Sequence, residues 1–248
     1  DHFGNPSSTH QFGRRTKTAI EQSRRQIAGQ LGVEPRTVCF TSGGTESDNM
    51  ALHASVDQLG CKRILTCATE HSAVLKTAEH LGKRDDVTCG LLQLDAAGKV
   101  DLHHLAITLS DGIPTVVSVM HGNNEVGILQ DIEAIGQCCW DHNALFHSDT
   151  VQTMGHYPMD LGNMPIDFAA CSAHKLHGPK GAGFLYVKDG HRIGAHIMGG
   201  SQERAMRGGT ENLIGIIGLA KAFELAMSNM ESHAAHIQGL KSELVEGL

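Results

Sequence analysis

Apolar positions Ile20, Ile27 and Leu31, with Ala28 beside Ile27, recur at helical spacing and predict an amphipathic helix over about residues 13–31. The period then changes. "TVCFT" (37–41) is a short β-rich run, "SGGTES" a glycine-centred turn, and "DNMALHASVDQL" reads as a helix. The alternation continues. "RILTCA" is strand-like and leads into a helix over about 72–82, and "VTCGLLQL" and "TVVSVMH" are strand-like. "DIEAIGQCCWDH" is helical, and "ALFHSD", "DFAACSA" and "GAGFLYV" are strand-like again. From about 210 a long helix is expected. Strands alternating with helices predict an α/β fold with a mainly parallel, doubly wound sheet. Strands that are apolar almost throughout suit parallel strands covered on both faces. No repeat, low-complexity tract or linker interrupts the pattern, so residues 1–248 are expected to form a single domain.

Composition narrows the partners. The 248 residues are 40% hydrophobic and carry a net charge of -7 without a basic run, which argues for a globular fold and against nucleic acid. The apolar stretch around Asn212 to Ala220 is too short to span a bilayer. Cysteines at 39, 61, 67, 89, 138, 139 and 171 are odd in number and form no C-x-x-C pair. Buried reduced thiols in a cytoplasmic protein are expected rather than a disulfide framework. Seventeen histidines include neither H-E-x-x-H nor a paired Cys/His spacing, so no metal site is expected. The chain opens on "DHFGNPSSTH" without a methionine and closes on "LKSELVEGL", a helix in mid-stride, as a piece of a longer chain would.

In open α/β sheets ligands gather at the carboxyl ends of strands. After "TVCFT" stands Ser42-Gly43-Gly44-Thr45-Glu46-Ser47, where two glycines admit a ligand close to the backbone. Thr45 can cap the following helix, with Asp48 completing a capping box. The helix N-terminus suits a phosphate, although an ordinary strand-to-helix turn would read the same way. After "RILTCA", His71 opens the next helix, as a cap or as a ligand group. After "TVVSVMH", Asn124 in "GNNEVG" can bond a ligand or shape a turn. After "ALFH", Asp149 ends a buried strand and needs a partner, either a cationic ring nitrogen or an arginine, with Gln152 just beyond. After "DFAAC", Ser172-Ala173-His174-Lys175 places an amine where partial burial and neighbouring positive charge would favour its neutral, nucleophilic form. A lysine merely paired with a carboxylate is the plainer reading of the same residues. Together, a phosphate cradle, an imidazole, an acid for a pyridine nitrogen and a Schiff-base lysine are what pyridoxal 5'-phosphate requires.

The motifs "GNPSS", "FTSGGTESDN", "TEHSAV", "HGNNEVG", "HSDTVQ", "SAHKLHGPKG", "GGSQE" and "MRGGTEN" resemble the cysteine desulfurases, which belong to the class V aminotransferase group of fold-type I enzymes. The resemblance covers essentially the whole chain. It implies the large domain of a pyridoxal-phosphate enzyme in which Lys175 holds the cofactor covalently. It further implies that Asp149 pairs with the ring nitrogen, that Gln152 bonds the ring hydroxyl, and that His71 stacks on the ring and helps proton transfer. Gly44, Thr45, Ser172 and His174 bind the phosphate on this reading. Asn124 lies near the ring hydroxyl or the substrate carboxylate. Thr210 reaches the phosphate of a neighbouring subunit, so a homodimer is implied.

By the same resemblance, the parent protein converts L-cysteine to L-alanine and an enzyme persulfide, and a sulfur-acceptor or scaffold protein takes the sulfur for iron–sulfur cluster assembly or thiolation. The family's N-terminal segment and its small C-terminal domain have no counterpart here. The small domain carries the nucleophilic cysteine and a carboxylate-binding arginine, so this chain is expected to fall short of full turnover. A selenocysteine lyase, another class V aminotransferase, or a non-catalytic cofactor-binding fragment would share most of these motifs.

Overall fold

The computed structural model describes residues 3–248. Helix α1 (Gln11–Gln30) is capped by His10, whose Nδ1 accepts the Gly13 N–H, and it buries Ile20, Ile27 and Ala28 as its periodicity predicts. Strand β1 (Val38–Thr41) leads into α2 (Gly44–Asp57). Next come β2 (Arg63–Thr66), α3 (Ser72–Leu81), β3 (Thr88–Leu91), α4 (Leu102–Leu109) and β4 (Thr115–Ser118). The chain continues through α5 (Ile132–Asp141), β5 (Leu145–Asp149), β6 (Phe168–Ser172), β7 (Gly183–Val187) and α6 (Leu213–Glu246).

One seven-stranded sheet runs in the order β1-β7-β6-β5-β4-β2-β3. Pairs β6–β5, β5–β4, β4–β2 and β2–β3 are parallel, whereas β7 runs antiparallel to both its neighbours. This is the mainly parallel α/β sheet that the alternation predicts. Alternate residues serve opposite faces. Phe168 of β6 and Leu185 of β7 pack with Met50, Ala51 and Ala54 of α2. Ala169, Cys171 and Phe184 pack with Ile20 and Ile27 of α1 and with Ile216, Leu219 and Phe223 of α6. Because five other strands run parallel to β1, their carboxyl ends share one edge, where Ser118, Asp149 and Ser172 emerge from β4, β5 and β6.

Three local expectations change. The capping box is absent: α2 starts at Gly44, and its cap Gly43 (φ +147°) makes no side-chain bond. Glycine lets the chain turn straight from strand into helix there, so Thr45 falls inside the first turn and Asp48 is carried into the interior, 1% exposed. Glu46 makes the reach-back bond instead, accepting the Ser42 N–H at 2.8 Å. Helix α4 was not among the expected elements, although Asp101 caps it by accepting the His104 N–H at 3.0 Å and Leu105 and Leu109 are buried beneath it. The apolar stretch near 212–220 opens a 34-residue helix whose length and composition suffice for a bilayer, with 39% of its most apolar window buried inside the fold.

Candidate active site

A cavity of about 500 Å³ lies at the shared carboxyl edge. Its floor is buried, with Gly44 and Asp48 from α2, Glu70 from the β2–α3 connection, Asp149 from β5 and Ser172 from β6. Its rim is exposed, with Thr45, His71, Asn124, His174 and Lys175. Of the residues singled out in the sequence, all but Thr210 line this one cavity.

The phosphate cradle is set by steric fit. A Cβ on Gly44 would stand 2.6 Å from Val151 Cγ2, so only glycine lets α2 begin against the β5–β6 connection. Ser47 N–H bonds back to the Gly43 carbonyl at 3.1 Å, and the N–H groups ahead of it have no helical partner. Ser172 Oγ and His174 Nδ1 lie 2.8 Å apart beside that helix start. Partial burial and the nearby ammonium of Lys175 lower the His174 pKa, which keeps its ring neutral. An anion here meets helix N–H groups, two hydroxyls and an imidazole.

The opposite side of the floor is acidic. Asp149 is 4% exposed and accepts the Val151 N–H at 2.9 Å on Oδ1. Burial pushes Asp149 up to about 7. No arginine faces it, so of the two partners foreseen for this carboxylate a ligand cation is the one the geometry accommodates. Donor atoms of Asp48, His71 and Asp149 all lie within 4.8 Å of one another. Glu70 accepts the Met120 N–H at 2.8 Å through Oε1, while Oε2 is buried with no hydrogen-bond partner. Burial, with the nearby Asp149 carboxylate, raises Glu70 well above the carboxylate range.

At the rim, His71 caps a helix and lines the cavity. Its Nδ1 accepts the Ala73 N–H at 3.1 Å as the cap of α3, and the ring lines the cavity. In its neutral form the ring therefore carries its proton on Nε2. Asn123 shapes the loop, with Oδ1 accepting the N–H groups of Glu125 and Val126, and Asn124 is left to accept from Gln152 Nε2 at 3.3 Å.

Lys175 sits in a short 3-10 turn, Ala173–Leu176, which follows β6 and stops at His177 (φ +61°). The expectation of partial burial fails, because the lysine side chain is exposed at the cavity mouth. The turn lifts it above the strand end. Thr210 is exposed and lies outside the cavity, in a loop anchored by Arg24. The guanidinium donates to Glu203 at 2.6 and 2.8 Å, and Glu203 also accepts the Phe40 N–H at 2.8 Å. This ion pair holds three successive residues, Glu203, Arg204 and Ala205, at positive φ.

Sequence reasoning missed Glu70 as a site residue and gave Asp48 the wrong role. An acid directly before His71 at a strand end was the available signal for Glu70. Asp48 carried a helical signal that pointed to capping, and only the fold reveals that its side chain faces β5. All seven cysteines are free, five of them buried, and none lines the cavity. Burial pushes the Cys61 and Cys67 thiols up to about 12.

Residues 1–248 match the family profile "Aminotransferase class-V". The chain is 42% identical over 247 residues to a protein named cysteine desulfurase IscS from Dictyoglomus turgidum, covering 98% of this chain and 62% of that protein. It is thus similar to less than two thirds of that relative's length. Among solved structures, a NifS-like protein superposes with a TM-score of 0.94 at 38% identity, over 100% of this chain and 68% of that one. A structure of SspA in complex with cysteine superposes with a TM-score of 0.82 at 35% identity, over 90% of this chain and 65% of that one. With the sheet, the cavity and the matched residues in agreement, the chain belongs to the class-V aminotransferase family.

Proposed function

We propose that these residues are the cofactor-binding large domain of a pyridoxal 5'-phosphate-dependent cysteine desulfurase. Such an enzyme takes L-cysteine to L-alanine and passes the sulfur, as a persulfide, to an acceptor or scaffold protein for iron–sulfur cluster assembly or thiolation. One observation carries the reading. A buried carboxylate without a protein cation, a helix N-terminus with free N–H groups, and a lysine occupy three sides of one cavity. That donor set fits the cofactor's ring nitrogen, phosphate and aldehyde in turn. The names of the relatives, and the cysteine held in the SspA complex, support the substrate.

When bound, the cofactor supplies an electron sink for charge developing at the substrate α-carbon. The chain's own residues do the rest. The α2 N-terminus, Thr45, Ser172 and His174 would hold the phosphate. Asp149 would accept from the ring nitrogen and favour its protonated form. Gln152 and Asn124, already hydrogen-bonded to each other, would serve the ring hydroxyl. Lys175 Nζ would be the amine that holds the cofactor and moves a proton at the substrate α-carbon. His71 would pack against the ring and offer the proton on Nε2. The sulfur-accepting thiol is assigned to the part of the relatives' length that this chain does not span.

The working unit is proposed to be a cytoplasmic homodimer, in which the exposed Thr210 reaches the neighbouring subunit's phosphate. Nucleic acid and membrane have no role in it. The negative net charge supports the first exclusion. For the second, α6 buries Ile216, Leu219 and Phe223 against the sheet, as a core helix does.

Borohydride reduction of the protein incubated with pyridoxal 5'-phosphate should place the adduct on Lys175, located by mass spectrometry. An adduct on Lys180 or Lys188, or none, overturns the site. The full-length protein given L-cysteine should release L-alanine. A keto acid product would make it an aminotransferase, and turnover of selenocysteine alone a selenocysteine lyase.

A further inference from the structure

The buried carboxyl of Asp48 has no task in the reaction described so far. It stands on α2, 1% exposed, within 4.8 Å of Asp149 and 3.4 Å from His147 Nε2. On its far side, His147 Nδ1 meets Ser118 Oγ at 2.8 Å. Asp149, Asp48, His147 and Ser118 thus form one buried polar row running from the cavity floor into the sheet.

Neither Asp48 Oδ1 nor His147 Nε2 has a hydrogen-bond partner of normal length. A carboxylate facing an imidazole N–H would draw it to about 2.7–2.9 Å, as charge-assisted bonds do. At 3.4 Å no hydrogen bond joins them, so the imidazole does not hold a charge on Asp48. Two buried carboxyls this close do not both ionise without a cation between them. The two are also unequally served. Both line the cavity floor, but only Asp149 has a backbone N–H fixed on Oδ1. Asp48 has only the imidazole, which burial pushes down to about 4 and so keeps neutral.

We propose that Asp48 is a positioning residue that carries a proton, so that the single negative charge of the Asp48–Asp149 pair resides on Asp149, where the ring nitrogen of the cofactor needs it. The neutral Asp48 O–H then faces His147 Nε2, and the proton of His147 sits on Nδ1 toward Ser118 Oγ. The charged or titratable groups facing the pair from other elements are Glu70 and His71 from the β2–α3 connection, Glu125 from the loop after β4, His147 from β5, and His174 and Lys175 from the turn after β6. Glu70 is itself raised by burial, so it adds no obligatory second charge to the floor.

The inference rests on the cofactor reading above for its purpose, but its test does not need the cofactor. The infrared spectrum of the cofactor-free protein, in a Glu70→Gln background that removes the other raised carboxyl and at a pH above that at which Asp149 releases its proton, should show the C=O stretch of a buried carboxylic acid, and the two variants are compared in that same background. That band should be absent from Asp48→Asn and retained in Asp149→Asn. A band lost in Asp149→Asn and kept in Asp48→Asn overturns the assignment, as does the absence of any such band from the Glu70→Gln parent. The Asp149→Asn spectrum decides the matter even where Asp48→Asn fails to fold. Affinity for pyridoxal 5'-phosphate is the second measurement. An amide is neutral like the protonated acid, so Asp48→Asn should bind the cofactor within about threefold of wild type. Were Asp48 ionised, losing a charge this close to the ring nitrogen would weaken binding by more than about tenfold, and that result refutes the proposal. Wild-type protein that binds no cofactor at all would instead sink the function proposed above, leaving the infrared result to stand alone.

Discussion

The two sides of the cavity are built on different principles. The floor, with Asp48, Glu70, Asp149 and Ser172, is buried, and Glu70 and Asp149 there are fixed by backbone N–H groups. The rim, with Thr45, His71, Asn124, His174 and Lys175, is exposed and stands on turns and helix starts. Burial makes every charge on the floor expensive and therefore specific: one carboxylate can be ionised there, and it fixes which ligand atom may approach. Exposure makes the rim adaptable. Its groups can follow a substrate, and each can be lost without disturbing the fold. Floor substitutions should therefore change the electrostatics of the site, and rim substitutions its contacts.

The largest expected effect comes from the one rim residue that this division does not describe as replaceable. Lys175→Ala removes the only lysine lining the cavity. Covalent capture of pyridoxal 5'-phosphate should vanish, with no borohydride-stable adduct in the mass spectrum. The cofactor should still bind reversibly, because the phosphate groups do not depend on the lysine. An adduct elsewhere in the cavity would show that the rim has a second competent amine.

Asp149→Asn is the strongest test of the floor. A neutral amide does not hold a proton on the ring nitrogen as a carboxylate does, so proton transfer at the substrate α-carbon in the full-length enzyme should slow by orders of magnitude. Wild type should also show a pH dependence that the variant lacks. Asp149 is raised to about 7, so its proton is bound below that pH and released above it. Pairing with the ring nitrogen needs the released form. Cofactor affinity should accordingly fall as pH drops below about 7, and the ratio of wild-type to Asp149→Asn affinity should fall with it. A ratio independent of pH would break the contrast between floor and rim.

Legibility followed the same division. Strand ends could be read from apolar runs, and the residues just beyond them come together around one cavity, because a parallel sheet brings its carboxyl ends together wherever the chain places them. Thr45, His71, Asn124, Asp149, Gln152, Ser172, His174 and Lys175 meet in one cavity for that reason. What escaped the sequence depended on tertiary direction. Asp48 lies three residues beyond Thr45 on a helix, and capping chemistry explained it locally. Only the positive φ of Gly43, which starts the helix early, turns Asp48 toward β5. The exposure of Lys175 was equally hidden, because an apolar strand ahead of a lysine does not disclose that a 3-10 turn intervenes. Helix α4 was written in its cap and its leucines, and it was overlooked because both lie among turn-forming residues.

The Arg24–Glu203 pair sharpens the comparison from outside the cavity. Both side chains are nearly inaccessible, at 3% and 2%, and together they hold the left-handed turn that leads to Thr210. Glu203→Gln leaves a buried guanidinium with only the half-buried Glu21 at 3.2 Å as counter-charge, and breaking such a pair costs up to about 3–5 kcal/mol. Chemical denaturation should show a loss of that order. Because this side chain lies away from the cavity, cofactor affinity of the folded fraction should stay close to wild type. A variant that lost affinity but not stability would place Glu203 in the cavity's electrostatics rather than in the loop's support.

The smallest effect belongs to the rim. Thr45→Ala removes one hydroxyl from a phosphate site that keeps the α2 N–H groups, Ser172 and His174. A hydrogen bond to a charged group contributes about 1.5–3 kcal/mol, and the remaining donors and water compensate part of it at an exposed position, so affinity for the cofactor should fall by about tenfold. Thr45→Ser should restore it, because the hydroxyl rather than the methyl makes the contact. Thermal stability should be unchanged, since Thr45 is exposed and α2 is capped by Gly43 and by the Glu46–Ser42 bond rather than by Thr45. If Thr45→Ala instead lowered the melting temperature while leaving affinity intact, the residue would belong to the scaffold, and the phosphate cradle would consist of Ser172, His174 and the helix start alone.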